Sequence, residues 1–177
     1  MRWPLARRPG LSLVMWACGI EAGDQVITVG NSDVLNTAAI SLCWGRPVFC
    51  DFRLRHFTID SYLVEACLTA CTRSLLTEDL YGHPAEVRAL RQFAERHRLK
   101  IIEYAGLSLG ASGYGWPVGR LSTPRCLVPA PIRRWAEWAT VVSSDPMIFR
   151  LLSDCSSIAA VDAQRESPFT FGLIGRK

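Results

Sequence analysis

Between Leu11 and Glu103 the chain alternates apolar runs of strand length with segments of helix length. That alternation restricts the fold more than any other feature. Leu11 to Ala17 reads as the end of a helix, closed by Gly19. Gly23-Asp24 turns into a strand, Gln25 to Val29, and Asn31 or Ser32 can cap a helix running to about Leu42. Pro47 to Cys50 is expected as a short buried strand, Asp60 as the cap of a helix from Ser61 to Leu68, and Ser74 to Thr77 as a third strand. Pro84 then stands where a first-turn proline belongs. Behind it Val87, Leu90, Phe93 and Ala94 share one helical face, while Arg88, Arg91, Glu95 and Arg98 take the opposite one. Leu99 to Glu103 is the next strand. Strands separated by helices of this length predict an α/β fold, a mostly parallel sheet with helices on both faces.

Beyond Gly119 the pattern weakens. Thr123-Pro124, Pro129 and Pro131 interrupt a region that would otherwise carry strands, because proline cannot donate to a central ladder. Thr140 to Ser143 reads as a strand, and Asp145-Pro146 starts a helix through Leu152. From Cys155 to Lys177 no periodicity survives. The expected division is therefore a large domain over 1–153 and an irregular or disordered tail over 154–177.

Composition narrows the function classes. A chain of 177 residues with 49% apolar and 20% charged residues can bury one real core. The net charge is +4, and the arginines are scattered, with short clusters at Arg7-Arg8 and Arg133-Arg134. That is no footprint for nucleic acid. The apolar run from Leu11 to Cys18 is too short to span a membrane, and no small-residue cleavage site follows it cleanly. The seven cysteines form no CxxC pair. Cys67 and Cys71 stand four apart, but no histidine pair accompanies them. The expectation is reduced, buried thiols, a cytoplasmic location and no metal site.

Short motifs then occur in a telling order: Gly19-Ile-Glu-Ala-Gly-Asp-Gln-Val-Ile-Thr28, Ala39-Ile40, Arg46-Pro-Val-Phe-Cys-Asp51, Phe57-Thr-Ile-Asp60, Asp79-Leu-Tyr-Gly-His-Pro-Ala85, Leu99-Lys-Ile-Ile-Glu103 and Tyr114-Gly-Trp-Pro-Val-Gly119. Each is weak alone. Together they resemble the DegT/DnrJ/StrS family of nucleotide-sugar aminotransferases. The resemblance implies the large domain of a fold-type I pyridoxal-phosphate (PLP) transferase, with an active site at a homodimer interface.

The same resemblance implies that the family's functional positions are altered here. The phosphate-binding Ser-Gly-Thr would fall within Ala6-Arg7-Arg8-Pro9-Gly10. The aromatic that stacks on the cofactor falls at Asp33. The acid that pairs with the pyridine nitrogen falls at Tyr104, a phenol with a pKa near about 10 and so a poor replacement. The glutamine near the cofactor's oxygen becomes Leu107, and a phosphate-binding serine becomes Val128. The Schiff-base lysine falls at Arg133, whose guanidinium stays protonated where the chemistry needs a neutral primary amine. The lysines present are Lys100 and Lys177, neither placed to serve. Arg133 and Arg134 can hold a phosphate or form a solvated pair. Trp135 and Trp138 can pack a core or dimer face or stack on a sugar. His83 is expected as a cap or surface residue, and His56 and His97 lie in charged surroundings.

On this reading the small C-terminal domain is absent and the large domain incomplete. The function expected is that of a protein related to PLP-dependent transamination of nucleotide keto-sugars, in polysaccharide or deoxysugar biosynthesis. It is expected to be catalytically inactive and not to bind PLP. The alternative is a binding or regulatory module that pairs with a full-length relative. A homodimer or such a heterodimer is the expected assembly, with no nucleic acid and no membrane.

Overall fold

The computed structural model describes residues 9–118, apart from 33, 106, 107, 109 and 114. Four parallel strands form the sheet: β1 (Gln25–Val29), β2 (Arg46–Cys50), β3 (Thr72–Glu78) and β4 (Lys100–Tyr104). Their order is β2-β1-β3-β4. The chain leaves β1 outward to β2, then returns to the other side of β1 to lay down β3 and β4. Helices α1 (Pro9–Ala17) and α2 (Val34–Leu42) cover one face. A 3₁₀ turn, Val64–Cys67, and α3 (Val87–His97) cover the other.

Side-chain alternation builds two cores, one on each face. Val26, Leu76, Ile102 and Tyr104 point toward Leu11, Val14 and Met15 of α1 and Ala39 and Ile40 of α2. The spacing of Leu11, Val14 and Met15 is a single helical stripe. Ile27, Val29, Leu75 and Ile101 point the other way, toward Leu90, Phe93 and Ala94 of α3 and Val64. Burying each such aliphatic side chain stabilises the fold by about 1.5–3 kcal/mol before entropy is counted. The tight step into β2 needs Gly45. A Cβ there would lie 3.2 Å from the side chains of both Ile20 and Ile40.

Several expectations are corrected. The Pro47–Cys50 run is an edge strand, and Phe49 is exposed. An edge is where proline is tolerated, and Pro47 sits opposite Val26 without a donor. The expected Ser61–Leu68 helix shrinks to Val64–Cys67. Asp60 does accept from the Tyr62 amide at 3.0 Å. The same carboxylate holds Arg53, and Leu68 is already extended. Pro84 does not start α3. Ala85 is held back by Asp79, and Glu86 by Ser61 and Arg53, so the helix begins at Val87. β3 and β4 both run past their expected ends, to Glu78 and Tyr104. Cys18, Cys43 and Cys50 are buried thiols as expected, but Cys67 is half-buried and Cys71 exposed. A small antiparallel pair, β5 (Ser112–Gly113) with β6 (Trp116–Pro117), ends the described region. The expected elements after Gly119 and the tail over 154–177 lie outside it. No helix among the described residues is long and apolar enough to cross a membrane.

Candidate functional site

In an open parallel sheet, ligands bind outside the carboxyl ends of the strands, where the strand order reverses. Here the reversal lies between β1 and β3. The residues delivered to that edge are Thr28 to Asn31 from β1, Glu78 and Asp79 from β3, and Glu103 and Tyr104 from β4.

On the α1–α2 side Glu78 stands directly opposite Tyr104 in the ladder. Glu78 is 2% exposed, and its carboxylate accepts from Asn36 Nδ2 of α2 at 2.9 Å. Thr28 Oγ1 and Asn36 Oδ1 are buried without a hydrogen-bond partner among the described residues, an unusual cost for interior polar atoms. Tyr104 packs into the α1–α2 core with Leu76 and Ile102. Its ring thus does structural service at the position where an acid was expected from the resemblance.

On the opposite side Asp79 organises a turn. Its Oδ1 accepts from the Ala85 amide at 2.9 Å, and its Oδ2 from Ser108 Oγ at 3.2 Å. The Glu103 carboxyl is buried beside it. Burial pushes the Asp79 carboxyl above its usual range, against the opposing pull of these hydrogen bonds and of His83. Inside the turn Tyr81 is left-handed, with φ +55°. That conformation costs a side-chain-bearing residue roughly 1–2 kcal/mol. Phe57, after β2, is also left-handed at φ +59°. The two rings meet edge to face at 5.7 Å, and Asn31 Nδ2 fixes the Phe57 carbonyl at 2.9 Å.

His83 lies in the turn rather than on a helix, and its ring stacks on His56 at 4.4 Å. Desolvation, then the positive charge of His83, Arg55 and Arg53, holds His56 below its ordinary value. His97 sits on α3 and pairs with Glu65 at 3.1 Å, within the charged surroundings expected. Asp33, Leu107, Val128, Arg133, Arg134, Trp135 and Trp138 lie outside the described residues.

The described residues do not fit a PLP held as a Schiff base. Their lysine, Lys100, opens β4 at the amino edge and donates to the Cys18 carbonyl there. About 3.3 Å per residue separates it from the carboxyl edge three and four residues on. Sequence reasoning missed Asn36, Glu78, Asp79 and Ser108. A signal was available for two of them: consecutive acids closing an apolar strand run are costly unless they are used.

The fold is that of a fold-type I PLP aminotransferase large domain, seen here over part of its sheet. The chain belongs to the DegT/DnrJ/EryC1/StrS aminotransferase family, which it matches over residues 9–128. It is 35% identical over 139 residues to the dTDP-3-amino-3,4,6-trideoxy-alpha-D-glucose transaminase of Streptomyces venezuelae, covering 77% of this chain and 37% of that enzyme. Among solved structures it is similar to S. venezuelae DesV in complex with a ketimine intermediate. There the TM-score is 0.70 and the identity 28%, over 93% of this chain and 46% of DesV. It is also similar to NtdA from Bacillus subtilis with bound cofactor PMP, with a TM-score of 0.63 and 28% identity over 68% of this chain and 26% of NtdA. The chain therefore spans less than half the length of each of these three relatives.

Proposed function

We propose that this chain is a sugar-aminotransferase relative that does not carry out transamination. The observation that carries the reading is the missing amine. The family's lysine position reads Arg133, and Lys100 is engaged at the opposite edge of the sheet from Glu78, Asp79 and Tyr104. An arginine cannot become the neutral nucleophile that an imine requires. Tyr104, packed among apolar side chains, cannot keep a ring nitrogen protonated as a carboxylate does. When bound, PLP supplies an electron sink in this family; among the described residues the carboxyl edge offers it no lysine, and Tyr104 stands at the position of the family's acid.

The test is the absorption spectrum of the protein with added PLP, before and after borohydride. The expected spectrum is that of free PLP, with no label retained on the protein. A shifted imine band fixed by reduction, mapped to any residue, overturns the reading.

A second reading, a binding module that pairs with a complete relative, is favoured by one observation. Leu54, Phe57, Tyr62 and Tyr81 are exposed along the loops that follow β2 and β3, and large exposed apolar groups grouped in this way favour association. Co-purification with a full-length relative supports it, and a monomer that ignores such a relative removes it.

A further inference from the structure

We propose that the paired His56 and His83 rings form an acid-released clasp between the loop that follows β2 and the turn that follows β3.

The clasp joins two strained segments. His56 immediately precedes Phe57, which is left-handed at φ +59°, and His83 stands two residues after Tyr81, left-handed at φ +55°. A strained residue persists only where its surroundings over-determine it. Among the described residues two ring contacts tie the loop to the turn. The His56 and His83 centroids are 4.4 Å apart with their planes inclined by 30°, and Phe57 meets Tyr81 edge to face at 5.7 Å. Each contact lies beside a strained residue, so loss of the first loosens the second.

Both sides of the clasp are held in place as charge builds. His83 Nδ1 lies 3.0 Å from the Pro84 carbonyl. A carbonyl only accepts, so Nδ1 carries a proton in either charge state, and Nε2 takes up the second proton in acid. On the loop side Asn31 Nδ2 holds the Phe57 carbonyl at 2.9 Å, a bond that does not titrate. Protonation of both rings therefore sets like charges face to face. Their separation is well inside the roughly 8 Å over which physiological salt screens.

The groups around the rings add to that repulsion. The loop contributes Arg53 and Arg55, the turn contributes His83, and the segment entering α3 contributes Glu86. Glu86 opposes the three positive groups but is engaged with Arg53 and Ser61. Asp79 faces His83 from the base of the turn and is engaged with the Ala85 amide and Ser108. Desolvation first, then the charges of His83, Arg55 and Arg53, lowers His56. A histidine lowered in the closed state stabilises that state fully above its ordinary value, about 6.5. The contribution is lost as pH falls from there through the lowered value. The clasp is thus closed at neutral pH and opens in mild acid.

Proton NMR of the full chain between about pH 8 and pH 5 tests this. The His56 imidazole is expected to titrate below about 6.5, and the cross-peak between the Phe57 and Tyr81 rings to fade with the same midpoint. The Leu90 amide, bonded to the Glu86 carbonyl, is expected to stay protected throughout. In His83→Phe a neutral ring faces the same imidazolium. There the His56 midpoint is expected to rise and the Phe57–Tyr81 cross-peak to survive to the acid end of the range. A cross-peak that persists in the unaltered chain after His56 is protonated overturns the proposal. So does a fade with an unchanged midpoint in His83→Phe, or a fade that takes the Leu90 protection with it. Should His83→Phe fail to fold, His56→Phe gives the reciprocal test: a cross-peak independent of pH supports the clasp, and a fade refutes it.

Discussion

Cys43, Cys50 and Cys71 share a side chain and differ in everything the fold does to it. Burial pushes the Cys43 thiol up to about 11. Burial, with Cys67 and the carboxylates of Asp60 and Asp51 adding to it, pushes Cys50 up to about 12. Cys71 is exposed at the turn into β3. Since the thiolate is the nucleophile, iodoacetamide near pH ~8 is expected to alkylate Cys71 before Cys43 and Cys50. Cys43 and Cys50 should stay unmodified until the chain is unfolded in urea. Peptide mass mapping reads the order, and native labelling of Cys50 as fast as Cys71 means that the core of Ile59 and Val64 does not cover it. The same contrast explains what was legible at single positions. Apolar neighbours in sequence marked Cys18 and Cys43 as interior, because strand and helix periodicity carries that information. The pairing of Asp79 with Ser108, or of Asn36 with Glu78, joins residues far apart in sequence, and no local pattern encodes it.

At the level of elements, regular periodicity was readable and boundaries were not. The stripe of Leu90, Phe93 and Ala94 specified α3, and it packs in one core cluster with Leu75 and Ile101. Its start was misplaced onto Pro84 because the anchors on Ala85 and Glu86 come from Asp79, Ser61 and Arg53, outside the helix. Its end is unusual. Arg98 closes α3 in the left-handed region, with φ 55° and ψ 35°, and its amide reaches the carbonyls of Ala94 and Glu95. Glycine normally fills this cap because it lacks a Cβ. Arg98→Gly relieves that strain and loses an exposed side chain, while the more flexible unfolded chain takes back part of the gain. The expected net effect is a stabilisation of about 0.5–1 kcal/mol, seen as a higher urea midpoint with an unchanged slope. A lower midpoint means that the Arg98 side chain makes a contact worth more than the strain.

For the whole molecule, the alternation of strand and helix fixed a parallel, two-sided sheet, because a crossover connection leaves few other arrangements. It did not fix that β2 lies at the edge and β3 inside, since strand order depends on which pairs bury most surface. The resulting sheet separates two cores, one under α1 and α2 and one under α3. Met15 and Leu90, both 0% exposed, represent them. Each is tied to the other through the strands between, and neither shares a cluster with its counterpart. Met15→Ala and Leu90→Ala are each expected to cost about 2–5 kcal/mol. In the double variant the losses should add to within about 0.5 kcal/mol, as for sites without common partners. Urea unfolding followed by tryptophan fluorescence and by circular dichroism measures this, with coincident curves marking one cooperative unit. If the sheet were a weak partition, Met15→Ala would melt its own side first and split the two curves. If the cores were coupled by repacking across the strands, the double variant would lose less than the sum. A single additive transition is the outcome required by a sheet whose central strands, β1 and β3, send alternate side chains into both cores.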